Sequence, residues 1–301
     1  MSNITLQQAL QAAQTRGLDR LDAQLLLLHA LGRSHSDRAW LLAHDNDVLP
    51  DTARHAFCEL SQRRTAGEPL AYIVGYKEFY GLRLAVDARV LVPRPDTETL
   101  VQWSLDVLND TAMPPQLQVL DLGTGSGAIA LAIASSTAKG MKATGKSVMV
   151  TALDASADAL AVARENARQL QLDVRFIQGC WLNEVSKVSG HYHLIVSNPP
   201  YIAIADPHLA ALAYEPPEAL TAGHDGLDDI QHIIAQAPVH LHPGAWLLLE
   251  HGYDQSGRVC DLLAQRGFAQ VQSRPDLAGV TRCSGGQWLG AASGNHLEIA
   301  G

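Results

Sequence analysis

Asn198-Pro199-Pro200-Tyr201 is the tetrapeptide whose residue types point most directly to chemistry. It follows an apolar run, His193-Leu194-Ile195-Val196-Ser197, that reads as a buried strand, so the four residues fall at a strand's carboxyl end, where open α/β sheets bind ligands. Two consecutive prolines fix φ and remove two N–H donors, leaving the carbonyls of Asn198 and Pro199 free to accept. The Asn198 side chain adds an acceptor, and the Tyr201 ring follows at once. A planar –NH2 group lying against that ring fits such a cradle. A proline-rich turn leaving a strand would explain a lone Pro-Pro as well; the motif upstream favours a ligand.

That upstream motif is Val119-Leu120-Asp121-Leu122-Gly123-Thr124-Gly125-Ser126-Gly127, a strand, a glycine-rich turn and a helix start. Alternate glycines let the backbone approach a ligand closely at a helix N-terminus. Asp121 before the loop is ill matched to a pyrophosphate and suits S-adenosylmethionine, which carries an ammonium and a sulfonium and no phosphate. Asp154 ends the next strand, where a carboxylate commonly takes a ribose hydroxyl pair roughly 20 residues after the loop. The polar stretch 135–147 accounts for its greater distance. Asp154 reads equally, taken alone, as an N-cap of the helix after it. Trp181, in Gln178-Gly179-Cys180-Trp181, could flank an adenine ring or fill the core. Glu215-Pro216-Pro217-Glu218 and Gly226-Leu227-Asp228-Asp229 lie in a long segment after Tyr201, and such segments are usually lids or binding loops.

These residues need a sheet to position them. From about residue 117 short apolar runs alternate with helical patterns, predicting strands at 117–121, 148–153, 173–177, 193–197 and 244–250 and helices at 126–135, 156–170, 227–236 and 255–266. That alternation predicts an α/β, mainly parallel sheet with helices on both faces. Ahead of it, residues 1 to about 67 read as four short helices, the first opened by a Thr5/Gln8 capping box and closed at Gly17. The third is capped by Ser36 or Asp37 and the fourth opened by Pro50-Asp51. Residues 75–86 read as a β-hairpin, and Asp96 or Thr97 as the cap of a helix through Leu100, Trp103 and Leu108. The stretch 135–147, with Lys139, Lys142 and Lys146, reads as an exposed loop, and Gly285-Gly286-Gln287 as a turn between two final strands.

Composition excludes some classes. With 47% hydrophobic and 18% charged residues among 301, the chain is globular. A formal net charge of −9 argues against wrapping nucleic acid, which needs Lys and Arg to neutralise phosphates. The four cysteines, Cys58, Cys180, Cys260 and Cys283, are scattered and read as reduced thiols of a cytoplasmic protein. The histidine pairs His191/His193 and His240/His242 have no accompanying ligand cluster, so no metal site is expected. No apolar run reaches the roughly 20 residues that span a bilayer, so no membrane association is expected.

The chain resembles the protein-(glutamine-N5) methyltransferases of peptide chain release factors, the HemK family. Gly67-Glu68-Pro69-Leu70-Ala71-Tyr72-Ile73, Lys77-Glu78-Phe79, Pro93-Arg94-Pro95-Asp96-Thr97-Glu98, Asp121 to Gly127, Asn198 to Tyr201, Glu215-Pro216 with Ala219-Leu220, and Gly223 with Asp225-Gly226-Leu227 carry the resemblance. It implies a class I methyltransferase fold, a Rossmann-like, seven-stranded, mostly parallel sheet, with a small N-terminal helical bundle joined by a β-hairpin linker. The implied domains are residues 1–74 for release factor recognition, 75–90 as linker, 91–292 for methyl transfer and 293–301 as a tail. The resemblance also implies that Asp121, Gly123, Thr124, Gly125, Ser126, Gly127, Asp154, Trp181 and Asn198 contact S-adenosylmethionine. Asn198, Pro199, Pro200 and Tyr201 would hold the glutamine of a Gly-Gly-Gln motif, with Asn198 and Pro199 catalytic. The family usually has an acid just before this tryptophan; here the residue is Cys180. The expected protein is a monomer acting on release factors, without nucleic acid. An N6-adenine or N4-cytosine methyltransferase would use the same cradle, and a non-catalytic S-adenosylmethionine-binding or interaction module is the rival from another class.

Overall fold

The computed structural model describes residues 4–140, 145–183 and 191–290. The chain divides into two compact units, Met1–Tyr76 and Lys77–Gly301.

The first unit packs α1 (Leu6–Thr15), α2 (Arg20–Ala30), α3 (Arg38–Ala43), α4 (Asp51–Thr65) and α5 (Leu70–Val74) around Leu6, Leu26, Leu27, Leu41, Phe57 and Ile73. The capping box forms: the Thr5 hydroxyl accepts from Gln8 N–H, and the Gln8 side chain accepts from Thr5 N–H. The four helices expected over residues 1 to about 67 are α1–α4, and a fifth follows them. The short α5 starts after Pro69 and stops at Gly75, whose φ of +81° suits glycine.

The second unit opens with a two-stranded ribbon, β1 (Tyr76–Phe79) and β2 (Leu82–Ala85), joined through Tyr80 and Gly81, both at positive φ. Its main sheet has the order β5-β4-β3-β6-β7-β9-β8. β3 (Gln116–Leu122), β4 (Ser147–Asp154), β5 (Arg175–Gln178), β6 (Tyr192–Ser197) and β7 (Leu241–Glu250) are parallel. β8 (Ala269–Pro275) and β9 (Thr281–Trp288) close the edge antiparallel. Alternate residues of the central strands feed two cores. Val119, Leu194 and Trp246 pack with α6 (Glu98–Asn109) and α7 (Ala128–Gly140). Leu120, Ile195 and Leu247 pack with α9 (Asp228–Gln236) and α10 (Ser256–Arg266). A strand buried on both faces reads as a continuous apolar run, which is why these strands were legible. α8 (Ala157–Leu170) lies against β4 and β5. The strand order reverses between β3 and β6, so the crevice beyond their carboxyl ends is the place for a ligand. Among the described residues no helix is long and apolar enough to cross a membrane.

Three local expectations need correction. Gly285-Gly286-Gln287 is not a turn but the middle and end of β9. A β-carbon at Gly285 would lie 2.5 Å from Leu248, and one at Gly286 would lie 2.8 Å from Phe268. Glycine there lets side chains close directly onto the strand, and the reversal falls instead at Asp276–Gly279. Residues 135–140 belong to α7 rather than a loop, with Ser135 and Thr137 buried; Thr137 returns its hydroxyl to the Ile133 carbonyl, which lets a polar residue sit in a buried turn. Residues 141–144 of that stretch, like the tail from 293, lie outside the described residues. Thr97 occupies the N-cap position of α6, as expected, but its side chain makes no capping hydrogen bond. Its hydroxyl is used elsewhere.

Candidate active site

The glycine loop follows β3. Gly123, Gly125 and Gly127 have φ of +68°, +55° and +85°, so each alternate position needs glycine. Thr124 N–H donates to the Leu153 carbonyl at 2.9 Å and ties the loop to the end of β4. Asp121 supports it from below: its Oδ2 accepts from the Thr124 hydroxyl at 2.6 Å and from Ala130 N–H at 3.2 Å, in the first turn of α7. Asp121 is fully buried, and burial pushes its carboxyl up to about 7 against the pull of those two bonds. Its Oδ1 has no hydrogen-bond partner.

A carboxyl whose proton is held more tightly folded than unfolded stabilises the fold most below its unfolded pKa, near 4. Stability then falls as pH rises toward about 7. Asp121→Asn is expected to remove part of that fall in urea titrations run from pH 4.5 to 7, Glu250 keeping its own share. An unchanged slope would show that Asp121 is ionised throughout.

Beyond the strand ends lies a cavity of about 270 Å³, and its lining includes Gly123, Gly125, Asp154, Trp181, Asn198 and Pro200. Six residues expected at the site are therefore brought together. Asp121, Thr124, Ser126, Gly127, Pro199 and Tyr201 are not among the lining residues. Asp154 does not cap α8; that place is taken by Ser156, whose hydroxyl accepts from Ala159 N–H. Instead Asp154 Oδ2 accepts from Gly125 N–H at 2.8 Å and Oδ1 from Ser156 N–H at 2.9 Å. Burial raises its pKa, opposed by these bonds. A β-carbon on Gly123 would lie 3.4 Å from the Trp181 ring, so the indole packs directly on the loop. Trp181 has a φ of +48°, uncommon for an aromatic residue. Its Nε1–H donates to Asp229 Oδ1 at 3.0 Å, which holds the ring in place.

The lining also contains Glu218 and Asp229, so among the described residues three carboxylates and one cation, Arg89, line the cavity. That charge balance and the aromatic ring on the glycine loop fit a cationic nucleoside such as S-adenosylmethionine. They suit a pyrophosphate poorly.

The Asn198 motif leaves β6 at Ser197, whose hydroxyl donates to the Leu122 carbonyl at 2.8 Å and joins the two central strand ends. Asn198 Nδ2 donates to Thr97 Oγ1 at 3.3 Å. The Tyr201 carbonyl accepts from Gln255 Nε2 at 3.1 Å, and a β-carbon on Gly226 would come within 2.2 Å of it. Gln255 Nε2 also reaches the Asp225 carbonyl, so one buried amide clamps the motif to the later loop. Buried Glu215 accepts from Val92 N–H at 3.0 Å and pairs with Arg94. The Glu-Pro-Pro-Glu segment is thereby pinned to Pro-Arg-Pro, and Pro216 and Glu218 reach the cavity.

Glu250 and Gln255 have no place in the sequence reading of the site, and Thr97 and Asp229 enter it only as members of the 93–98 and 226–229 segments. Glu250 left a signal: it ends β7, as Asp154 ends β4. His240 lies in a short 3-10 turn, and the His193 and His242 rings lie 4.4 Å apart across β6 and β7. Among the described residues no group of three or more His, Cys, Asp or Glu could hold a metal.

The chain matches the PrmC N-terminal domain over residues 5–75 and the methyltransferase small domain over residues 103–214. It is 48% identical to the release factor glutamine methyltransferase of Bordetella pertussis, covering 90% of this chain and 95% of that protein. The protein of the same name from Burkholderia pseudomallei is 46% identical, with 91% and 93% covered. A methyltransferase crystal structure from Pyrococcus furiosus superposes with a TM-score of 0.51 at 19% identity, over 76% of this chain and 100% of that one, a likeness of fold. With a glycine loop and an Asn-Pro-Pro-Tyr motif meeting at one cavity, and relatives matching over nine-tenths of its length, this chain belongs to the release factor glutamine methyltransferase family.

Proposed function

We propose that the protein methylates the side-chain nitrogen of a glutamine in peptide chain release factors, the Gly-Gly-Gln glutamine, using S-adenosylmethionine. The observation that carries this reading is that Asn198 lines the same cavity as Gly123, Gly125, Asp154 and Trp181. An amine cradle and a cation-tolerant nucleoside pocket thus share one space. The family names support the acceptor.

An amide nitrogen is a weak nucleophile because its lone pair is delocalised into the carbonyl. Asn198 Oδ1 and the Pro199 carbonyl accept its two N–H bonds, turn the lone pair outward and favour positive charge on nitrogen. Tyr201, anchored through its carbonyl and its hydroxyl, packs beside the amide plane and limits its rotation. Gly123, Gly125, Asp154 and Trp181 hold the cofactor, with Asp121, Thr124, Ser126 and Gly127 shaping the loop beneath it. When bound, S-adenosylmethionine supplies an electrophilic methyl group. No strong general base is required: the N-methylated amide is strongly acidic, and its one surplus proton passes to solvent, leaving the neutral N-methylamide.

In this reading residues 1–74 recognise the release factor, 75–90 link, and 91–292 carry the transfer. The protein acts in the cytoplasm as a monomer and without nucleic acid; the net charge of −9 supports the last point. The test incubates the protein and methyl-labelled cofactor with release factor, with bulk RNA and with DNA. Label is expected on the release factor glutamine. Label in nucleic acid alone would overturn the reading, and label nowhere would favour a binding module.

A further inference from the structure

Both ends of the Asn198–Tyr201 motif lead to one buried carboxyl group. Asn198 Nδ2 donates to Thr97 Oγ1 at 3.3 Å, and the Thr97 hydroxyl is hydrogen-bonded to Glu250. From the other end the Tyr201 hydroxyl donates to Glu250 Oε1 at 3.4 Å. Thr97 is 4% exposed and Glu250 1%, while Glu250 Oε2 has no hydrogen-bond partner. Asn198 is the member of this chain of contacts that reaches the cavity.

The order of donors along the chain follows from counting hydrogens. A carboxylate only accepts, and a hydroxyl has a single hydrogen. With Glu250 ionised, Thr97 must direct that hydrogen to the carboxylate, so its Oγ1 can only accept. The –NH2 end of Asn198 is the group that can donate to it. Asn198 Oδ1 is then turned away from Thr97, available as an acceptor at the cavity. An incoming –NH2 needs an acceptor there; the opposite flip would set –NH2 against –NH2.

We infer that Glu250 is a positioning residue that dictates, through Thr97, which end of the Asn198 amide faces the substrate. The inference rests on the proposed transfer to an amide nitrogen. The groups facing Glu250 are Tyr201, Asp96 ahead of α6, and Arg282 and Cys283 on β9. Burial pushes the Glu250 carboxyl up to about 7, with Asp96 adding to the rise and Thr97, Tyr201 and Arg282 opposing it. Once protonated, the carboxyl can donate as well as accept. The Thr97 hydrogen is then released from its obligation, and Asn198 samples both flips.

Glu250→Gln keeps the shape and removes the directionality. It is expected to lower kcat by about 10- to 100-fold, the scale of a misplaced reacting group, with S-adenosylmethionine affinity within twofold. The wild-type rate is expected to fall as pH drops below about 7, and Glu250→Gln to lose that limb. Thr97→Val should reproduce the kcat loss, with the double variant no worse than the poorer single. A Glu250→Gln enzyme with wild-type kcat and pH profile overturns the inference. So does one that loses activity and cofactor affinity together while keeping the limb, which would mark packing alone. A second readout is independent of the acceptor: the Asn198 side-chain –NH2 resonances, assigned by their loss in Asn198→Ala, should shift on acidification through pH 7 in the wild type and stay fixed in Glu250→Gln. Fixed resonances in both proteins overturn the inference even if glutamine proves not to be the substrate, whereas wild-type protein unable to label a release factor refutes the proposed function alone.

Discussion

Asn198→Ala is expected to lower kcat for release factor methylation by about a thousandfold, the upper range for deleting one preorganised polar contact to developing charge. S-adenosylmethionine affinity should change only severalfold. The reason is geometric. Asn198 reaches the cavity from β6, whereas the glycine loop, Asp154 and Trp181 reach it from β3, β4 and the segment after β5. Removing the amide leaves those supports intact. It also leaves the buried Thr97 hydroxyl without its donor, at a stability cost of about 1–3 kcal/mol. Thermal unfolding should therefore accompany the kinetics, to show that the variant is folded at assay temperature. Near-normal turnover by the folded variant would sink the assignment of Asn198 to the transfer step.

Asp154→Ala should give the converse result, with S-adenosylmethionine affinity falling by about 100-fold or more. Asp154 does two jobs that the substitution removes together. It presents a carboxylate to the cavity, and it accepts from Gly125 N–H at 2.8 Å and Ser156 N–H at 2.9 Å. Each charge-assisted bond contributes about 1.5–3 kcal/mol. Without them the glycine loop loses its tie to the Asp154 side chain, though Thr124 still holds the Leu153 carbonyl. Equilibrium dialysis with labelled cofactor measures the loss directly. Asp154→Asn should recover part of it, since an amide oxygen can still accept from one of the two N–H groups. Wild-type affinity in Asp154→Ala would remove Asp154 from the cofactor site. The two variants form a crossed pair, one binding without transfer and the other starved of cofactor.

The readable parts of this site share a physical property: their signals are local. Glycines at alternate positions announce a turn because only glycine takes positive φ without strain, and Gly123, Gly125 and Gly127 all do. Asn198 was legible because an apolar strand precedes it and two prolines follow. The Thr5/Gln8 capping box spans four residues and formed as read. The errors arose where the deciding contact is remote in sequence. Gly285 and Gly286 resemble a turn until Leu248 and Phe268 are seen pressed against them. Ser135 and Thr137 are the local exception: they read as loop by their polarity, yet stay helical and buried, Thr137 returning its hydroxyl to the Ile133 carbonyl. Thr97 resembles a helix cap, yet its hydroxyl serves Asn198, 101 positions along the chain.

The sequence by itself determined the parallel α/β sheet, the glycine loop, and the Asn-Pro-Pro-Tyr turn at a strand's carboxyl end. These follow from periodicity, from backbone conformations few residues can adopt, and from the proline-imposed loss of donors. Tertiary structure alone decided how those pieces are aimed. It set Asp121 beneath the loop rather than in the cavity, gave the α8 cap to Ser156 so that Asp154 could brace Gly125, and drew Glu250, Thr97 and Gln255 up behind the motif. Hydrogen-bond direction is a property of groups already in contact, and strands far apart in the chain make those contacts only once the sheet has formed.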